Sequence, residues 1–400
     1  MYKSFINPTT DTPTSEILRR VMDQLNQAYE GRGYAYRKNE QVTLIHPTLE
    51  HGRIKDNNEK FLEAIEETIS AAESFVDITT LQHISGRFEQ AIVDSLNQAA
   101  RKNRSKKPIT VRITQGITAY YFSPVVPGLP SVSNFQTIQR ALERGIDEKY
   151  RQNLVVYFVQ DKTLSPLNFP DTFGWNHSKI VAVDGNQVVT GGHNMWEESY
   201  LNDTPVHDIS LILKGESAID AHHFVNDIWT GGTYSSYHPW NFAEEKLPVP
   251  VFSEADVVPK HRGGNLEAIA LGQLTNGFGV SPIKASVLSF IATAKKSIYI
   301  SQQELVAVIR PLRELPFKNL DTWLFENIGT SNSYQRELLR ALGQKAIEKV
   351  KVNILTSNVG ATASTVAKYN PDEVKRIIWA YVEDQSEENR RLFEENLTVG

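Results

Sequence analysis

The sequence contains one short run in which a histidine, a lysine and an asparagine are spaced so that they could act together on a phosphate. His177 and Lys179 are two residues apart in a segment with strand character, so both side chains point to the same face. Asp184-Gly185-Asn186 is a tight-turn signal that folds the chain back and brings Asn194 near this pair. An imidazole can attack phosphorus, while an ammonium and an amide bind the non-bridging oxygens. The spacing therefore predicts a phosphate-processing site on one β-hairpin.

Three further positions belong to the same pattern. Gly191 and Gly192 precede Asn194, and their lack of a side chain would let the backbone approach a bound phosphate. Asp184 is a candidate catalytic residue because it belongs to the pattern, although its place in the turn favours a role in anchoring the hairpin. An isolated H-x-K pair is common on the solvent face of a strand, whereas seven fixed positions together are a specific signal.

The residue types exclude several other kinds of site. The chain has no cysteine, which removes disulfide frameworks, zinc ribbons and thiol nucleophiles. His222 and His223 are adjacent in a predicted helix and cannot share one face of it, so they are a poor metal pair. Since no other His, Asp and Glu cluster has ligand spacing, we expect neither a metal nor an organic cofactor.

Composition and charge limit the partners. Lys and Arg total 42 against 47 Asp and Glu, for a net charge of −5. An acidic chain is a poor match for bulk nucleic-acid binding, which depends on neutralising phosphates, so we expect no nucleic-acid partner. No apolar run approaches the ~20 residues that a membrane span needs. The N-terminal residues show no Sec-type signal peptide, which leaves the cytoplasm or export by a non-Sec route as alternatives.

The elements around the motif predict an α/β fold. Helical periodicity alternates with short strands between residues 57 and 114, and the same helix–strand–helix–strand order returns between residues 285 and 355. This return indicates an internal duplication. A stretch rich in Pro and Gly, residues 231–265, separates the copies. We therefore predict two lobes, residues 1–245 and 246–400, with mostly parallel central sheets flanked by helices.

The pattern resembles the HKD signature of the phospholipase D superfamily: H-x-K, four residues, D, six residues, G-G, and N one residue later. The likeness is good over about residues 55–235 and looser over 285–400. The following segments are similar to actinobacterial secreted phospholipases D: Phe173–Lys179, Thr190–Trp196, Tyr200-Leu201, Pro205–Asp208, Asp77–Leu81 and Ile300–Glu304. The resemblance implies a two-lobed phospholipase D-like fold and a secreted protein.

The resemblance also implies a role for each matching residue. His177 would attack phosphorus to give a phosphohistidine intermediate, and Lys179 and Asn194 would bind the phosphate oxygens. Asp208 would orient the imidazole through its other ring nitrogen. The implied substrate is a glycerophospholipid such as phosphatidylcholine at a membrane surface, with its head group hydrolysed or transferred to another alcohol.

The sequence departs from the resemblance in one respect. Two-lobed enzymes of this kind join two HKD motifs, and the second histidine serves as general acid and base. No other H-x-K is present here, and the spacing from Ile109 to His177, counted from Val350, runs past Gly400. We therefore expect an incomplete second lobe: a truncated or processed fragment, or one chain of a split enzyme whose partner chain carries the second motif. Homodimerisation is less favoured, because the second lobe would occupy the surface that another copy needs.

Two other functions remain open at this point. One is a phosphodiesterase or nuclease of the same superfamily that acts on a non-lipid diester. The other is an inactive, truncated chain that retains a phosphate-binding pocket. The acidic composition and the match between residues 175 and 200 favour the lipid substrate.

Overall fold

A computed structural model describes residues 13–29, 33–46, 49–50, 53–54, 58–81, 84–104, 107–116, 136–161, 176–203, 205–230, 236–240, 250–256, 264–272, 282–302, 305, 307–309, 332–356, 366–368 and 370–400. The chain divides into two compact units. The first contains residues 1–15 and 29–280, and the second contains residues 16–28 and 281–400.

Helices and strands alternate along most of the described chain. The helices are α1 (Glu16–Tyr29), α2 (Glu59–Ser70), α3 (Arg87–Lys102), α4 (Gln136–Gly145), α5 (Glu197–Tyr200), α6 (Ser217–Thr230), α7 (Pro282–Thr293), α8 (Asn332–Ile347), α9 (Pro371–Ala380) and α10 (Glu387–Asn396). The strands are β1 (Tyr34–Ile45), β2 (Leu49–Glu50), β3 (Arg53–Ile54), β4 (Phe75–Thr80), β5 (Ile109–Gly116), β6 (Leu154–Asp161), β7 (Ile180–Val183), β8 (Gln187–Gly191), β9 (Ser210–Gly215), β10 (Ser236–Trp240), β11 (Leu266–Leu271), β12 (Ser297–Gln302), β13 (Ala307–Ile309), β14 (Lys351–Thr356), β15 (Val366–Lys368) and β16 (Leu397–Val399).

The first unit is built on a nine-stranded sheet in the order β10-β6-β5-β4-β7-β8-β9-β1-β11. The neighbours β4, β5 and β6 are parallel, as expected for strands that alternate with helices. Their flanking strands β10 and β7 run antiparallel, and so do the pairs from β7 through to β11. The predicted α/β class, with sheets flanked by helices, is confirmed. Parallel pairing in this sheet is concentrated at β4–β6, because hairpin connections such as β7–β8 reverse the chain.

Each face of this sheet is covered by helices. Side chains such as Ile78 and Ile113 pack with α2, α3 and α4 in the larger core. Residues of the opposite parity, including Ile180 and Ala182, pack with α6 in a second core. This alternation follows from the two-residue period of a strand. It means that the face of any site residue can be assigned from its neighbours on the same strand.

A charged cluster is buried between the sheet and α6. Arg112 donates from Nε and Nη2 to the two carboxylate oxygens of Asp77, both at 2.6 Å, and His222 Nδ1 lies 2.6 Å from Asp77 Oδ2. All three side chains are fully buried. Burial alone would raise the pKa of Asp77, but Arg112 and His222 hold it below its ordinary value. The cluster therefore keeps a compensated charge inside the unit.

The capping contact at α3 ties the helix to the segment after β8. Gly86 has a φ of 58°, and a Cβ added there would collide with the side chain of Glu197. The Glu197 carboxylate accepts a hydrogen bond from Arg87 N at 2.9 Å, which satisfies a free N–H of the first turn. The glycine is needed because α5 approaches α3 so closely.

The second unit contains a three-stranded parallel sheet in the order β12-β14-β16. Its core combines this sheet with residues of α7, α8, α9 and α10. The start of α9 has a capping box, in which Asn370 Oδ1 accepts from Glu373 N and Glu373 accepts from Asn370 N, each at 2.9 Å. Apart from the short strand β13 between β12 and α8, the order α7–β12–α8–β14 repeats the order α2–β4–α3–β5, and β12 and β14 are parallel like β4 and β5.

The division into compact units differs from the predicted lobe boundary at 245/246, which stays a prediction. Strand β11 pairs antiparallel with β1 from Tyr34↔Leu271 to Asn39↔Leu266, so residues up to 280 belong to the first unit. The sequence predicts the boundary from the Pro/Gly-rich stretch, which is a local signal. The pairing of β1 with β11 joins residues more than 220 positions apart, so no local signal indicates it. In the part of the chain that the structure describes, no helix is both long and apolar enough to cross a bilayer.

Candidate active site

The β7–β8 hairpin carries the candidate residues of the first unit. Asp184 and Gly185 both have positive φ, 53° and 65°, and Asn186 N donates to Val183 O at 2.9 Å to close the turn. Ile180 pairs with Thr79 on one side and with Thr190 on the other. The hairpin thus lies beside the parallel strands, with the residues before β7 at the carboxyl end of β4.

His177 and Lys179 lie side by side before β7. The Lys179 ammonium is 3.0 Å from His177 Nδ1 and donates to the His177 carbonyl oxygen at 2.9 Å. Lys179 is buried, whereas His177 reaches the surface. Because an ammonium can only donate, Nδ1 accepts its hydrogen bond, and the neutral ring then carries its proton on Nε2.

The pair has strongly shifted pKa values. Burial, together with the neighbouring charge of Lys179, lowers the pKa of His177 to about 4. Burial lowers the pKa of Lys179 to about 8, while the carboxylate of Asp208 acts in the opposite direction. Near neutral pH the imidazole is therefore uncharged and the ammonium is still largely protonated. A neutral imidazole has the lone pair that a nucleophile needs.

A hydrogen-bonded chain connects the amide of Asn194 to Asp208. Asn194 Nδ2 donates to the Tyr200 hydroxyl at 3.3 Å, and that hydroxyl donates to Asp208 Oδ2 at 2.9 Å. Burial and the adjacent carboxylate raise the pKa of Tyr200, so the phenol stays protonated and can keep this bond. Asn194 Oδ1 is buried without a hydrogen-bond partner.

Asp208 contacts Tyr200 in this structure, and no hydrogen bond joins it to His177 among the described residues. The orienting role that the resemblance implies for Asp208 is therefore not seen in this arrangement. Its carboxylate instead favours the protonated form of Lys179. Through the Tyr200 hydroxyl it also helps to hold the amide of Asn194 in place. Both effects concern the groups that would bind the phosphate.

The two glycines make room for protein atoms. A Cβ on Gly191 would collide with the backbone of Ile209 and Ser210 in the neighbouring strand, and a Cβ on Gly192 would collide with the carboxylate of Asp208. Sequence analysis predicts that these glycines let the backbone approach a phosphate. The structure gives a different physical reason at Gly192, since its missing side chain is what allows Asp208 to approach the hairpin.

Asp184 lies at the far end of β7 from Lys179. Four strand residues separate them, or about 15 Å at ~3.3 Å per residue. The Asp184 carboxylate accepts from the backbone N–H groups of Glu73, Ser74 and Phe75 at 2.7, 2.9 and 2.7 Å, and from Ser74 Oγ at 2.8 Å. It anchors the hairpin to the start of β4, which is the role that its place in the turn favours.

His193 has a structural position. It is fully buried, with Nδ1 2.8 Å from Ser210 Oγ and Nε2 3.0 Å from Asn58 Oδ1, and its ring stacks on Phe61 at 4.6 Å. Burial, with a smaller effect of His207, lowers its pKa to about 4. Asn58 Nδ2 also donates to the carbonyl oxygens of Tyr200 and Val206. Asn58 thus fixes the segment that carries Tyr200 and Asp208.

Sequence reasoning misses Tyr200 and Asn58 as supporting residues. Tyr200 is noted there only as part of the resemblance, and Asn58 lies 135 positions before its partner His193. No local spacing signal could identify either. Trp175, which flanks the motif, lies outside the described residues. Among those described, no group of three or more His, Asp or Glu is placed to hold a metal ion.

The geometry supports chemistry at a phosphate. A neutral imidazole lies next to an ammonium, and the arrangement includes a buried amide held by a phenol–carboxylate pair. The ammonium and amide can stabilise negative charge on non-bridging oxygens while the imidazole attacks phosphorus. These groups come from one hairpin and the segment that follows it.

The chain is similar to known proteins over the residues that carry this site. Residues 65–227 match the family described as "Cardiolipin synthase, PLD-like domain". The chain is 25% identical over 313 residues to phospholipase D of Streptomyces antibioticus, a match that covers 66% of this chain and 52% of that protein. The chain thus spans about half the length of this curated relative.

Two solved structures are also similar. Phosphatidylserine synthase of Haemophilus influenzae Rd KW20 matches at 13% identity with a TM-score of 0.47, over 85% of this chain and 65% of its own. Nuc of Salmonella typhimurium, described as a phospholipase D family member, matches at 10% identity with a TM-score of 0.28, over 50% and 98%. The family match at residues 65–227 includes the hairpin with His177 and Lys179 as well as Asn194 and Asp208. Over residues 65–227, the chain therefore carries a PLD-like domain.

Proposed function

We propose that this chain is a phospholipase D-type phosphodiesterase that removes or transfers the head group of glycerophospholipids through a phosphohistidine intermediate. The observation that carries the proposal is the neutral His177 imidazole in contact with the Lys179 ammonium. The carboxylate of Asp208 acts on that ammonium and is linked through Tyr200 to the buried amide of Asn194. The sequence match to the Streptomyces phospholipase D supports the lipid substrate.

The first step requires Lys179 to change partner. In this structure its ammonium donates a hydrogen bond to the lone pair of His177 Nδ1. A diester phosphate is a stronger acceptor because it is charged, so the ammonium moves to a non-bridging oxygen when substrate binds. This movement frees the imidazole from its hydrogen bond to a cation and places a positive charge where negative charge develops.

The imidazole then attacks phosphorus. A P–N bond forms to His177, the P–O bond to the head-group alcohol breaks, and the leaving oxygen takes a proton from a general acid. Lys179 and Asn194 Nδ2 stabilise the non-bridging oxygens during this step. Attack by water on the phosphohistidine releases phosphatidic acid, and attack by an alcohol gives a new phosphodiester.

We further propose that the general acid comes from a complementary chain with a second HKD motif. Among the described residues near His177, no second histidine is placed to protonate a leaving group, since His193 is locked between Ser210 and Asn58. General acid assistance contributes about 10²–10⁴ in rate. The isolated chain should therefore form the covalent intermediate slowly.

Covalent trapping tests the proposal directly. The purified chain is incubated with phosphatidylcholine vesicles labelled at the phosphate and quenched in alkali, in which phosphohistidine is stable. Label should appear on wild-type protein, and His177→Asn should abolish it. Thr114→Val is the control and should label like wild type, because Thr114 is buried on the face of β5 that packs against α6. Equal labelling of the His177 variant would overturn the assignment.

The same assay separates the alternatives. A single-stranded oligonucleotide or bis-p-nitrophenyl phosphate replaces the lipid in parallel reactions. Faster His177-dependent turnover of the oligonucleotide would favour a nuclease. Binding of inorganic phosphate without labelling by any substrate, even with a complementary chain, would favour an inactive phosphate-binding chain.

A further inference from the structure

The carboxyl ends of β4 and β5 hold buried polar groups that the proposed chemistry does not use. Gln115 is 1% exposed, and neither Nε2 nor Oε1 of its side chain has a hydrogen-bond partner. Thr80 is completely buried, and its hydroxyl oxygen is also unpartnered. Buried polar groups without partners are rare because each costs the free energy of its desolvation. Three such atoms on two neighbouring side chains therefore indicate that a ligand or a water binds there.

These two residues lie in a row with Lys179. Thr80 pairs directly with Gln115 in the β4–β5 register. The β4–β7 register pairs Thr79 with Ile180, and one residue further it brings Thr80 opposite Lys179. Neighbouring strands are about 4.8 Å apart, so Gln115 lies about 10 Å from Lys179 along the row.

All three side chains point to the same face of the sheet. Ile78, Ile113 and Val181 are two residues away from Thr80, Gln115 and Lys179 respectively, and all three belong to the core beneath α2 and α3. The strand ends also lie close to the nucleophile. A Cβ on Gly116 would collide with the carbonyl oxygen of Asn176, the residue before His177. Asn176 Nδ2 donates to Thr80 O at 3.2 Å.

We propose that Thr80 and Gln115 form a hydrogen-bonding subsite for the alcohol portion of the phosphodiester, and that it selects head groups carrying free hydroxyls. This proposal rests on the phosphate site proposed above. A carboxamide and a hydroxyl each donate and accept, which matches a polyol. A quaternary ammonium head group offers no hydrogen bond, and it is bound by aromatic faces instead. Thr80 lies one strand and Gln115 two strands away from Lys179, so the alcohol of a phosphate held by Lys179 is within reach of both side chains.

Binding of two small phosphates tests the selection without requiring turnover. Glycerol 3-phosphate and phosphocholine share the phosphate and differ in the alcohol. Calorimetric titration of the full chain should show at least tenfold tighter binding of glycerol 3-phosphate. Gln115→Leu should weaken glycerol 3-phosphate about tenfold and leave phosphocholine within twofold, because the lost hydrogen bonds concern the polyol alone. Thr80→Val should have a smaller effect in the same direction.

Two controls distinguish this role from a structural one. Thr114→Val changes the neighbouring residue on β5, which faces α6 and accepts from Trp229 Nε1, and it should alter neither affinity. Gln115→Leu removes unpartnered buried atoms, so its melting temperature should equal or exceed that of wild type. A destabilised Gln115→Leu that loses both ligands equally would overturn the proposal and indicate that the groups hold a structural water only.

The remaining outcomes separate this inference from the proposed function. Lys179→Ala should abolish binding of both compounds. If wild type binds neither compound, or binds them regardless of Lys179, the phosphate site itself is wrong and the subsite falls with it. If binding depends on Lys179 but the preference between the two compounds is absent or unaffected by Gln115→Leu, the subsite alone is overturned.

Discussion

Replacing Asp184 tests whether the aspartate of the motif acts on the fold or on the chemistry. Its carboxylate accepts three backbone N–H groups and the Ser74 hydroxyl at the start of β4. Asp184→Ala leaves these donors without that acceptor. The hydrogen bond from Phe75 N is buried and the other three are half-buried, and an unsatisfied buried group costs about 1–3 kcal/mol. An alanine at a positive φ adds about 1–2 kcal/mol. With partial rescue by water, the free energy of unfolding should fall by about 4–7 kcal/mol.

The matched variant is Asp184→Asn. Asparagine tolerates the positive φ of 53° and keeps one oxygen for the donors that contact Oδ1, so the expected loss is about 1–3 kcal/mol. Urea unfolding followed by circular dichroism gives both values, read from the transition of the first unit. The loss expected for Asp184→Ala is large compared with the free energy of unfolding of a typical domain, about 5–15 kcal/mol.

Phosphohistidine labelling completes this test. Any folded fraction of either Asp184 variant should label at a rate close to wild type, because the carboxylate lies about 15 Å from Lys179 along β7. An Asp184→Ala protein that unfolds at the wild-type urea concentration but no longer forms the intermediate would refute the structural role and return the residue to the catalytic site.

Three other predictions concern the pH dependence of the site, its support and the core. The labelling rate should be highest between about pH 4 and 8, since His177 must be neutral and Lys179 charged, and Lys179→Arg should extend the alkaline limit; a pH–rate profile measures both. Tyr200→Phe should weaken phosphate binding about 3–30-fold in calorimetry with an unchanged circular dichroism spectrum, because Asn194 loses its link to the carboxylate. Asp77→Asn should lower stability by about 3–5 kcal/mol in urea unfolding because it leaves Arg112 buried without its counter-ion. The pKa of Asp77 is lowered on folding, so its contribution should be fully present above the unfolded pKa and be lost as pH falls through the folded one.

Much of the local geometry could be predicted from the sequence. The two-residue period of a strand places His177 and Lys179 on one face, and the Asp-Gly pair predicts the reversal that the structure shows with two positive φ angles. The alternation of helical and strand periodicity predicts the α/β class and the repeated element order. These features depend on residues close together in the chain, so short-range sterics and periodicity are sufficient to determine them.

The remaining features of the fold and the site depend on contacts between segments that are far apart in the sequence. The pairing of β11 with β1 sets the limit of the first unit, and the approach of Asp208 to Gly192 decides why that glycine is needed. The contacts of Tyr200 with Asn194 and Asp208 also depend on tertiary structure, since they arise only when the segment after β8 folds back to β9. The sequence determined that the nucleophile and its neighbour two residues later lie side by side, just before β7. Only the register between strands decided which buried groups surround them, because strand order and register are set by packing over the whole sheet.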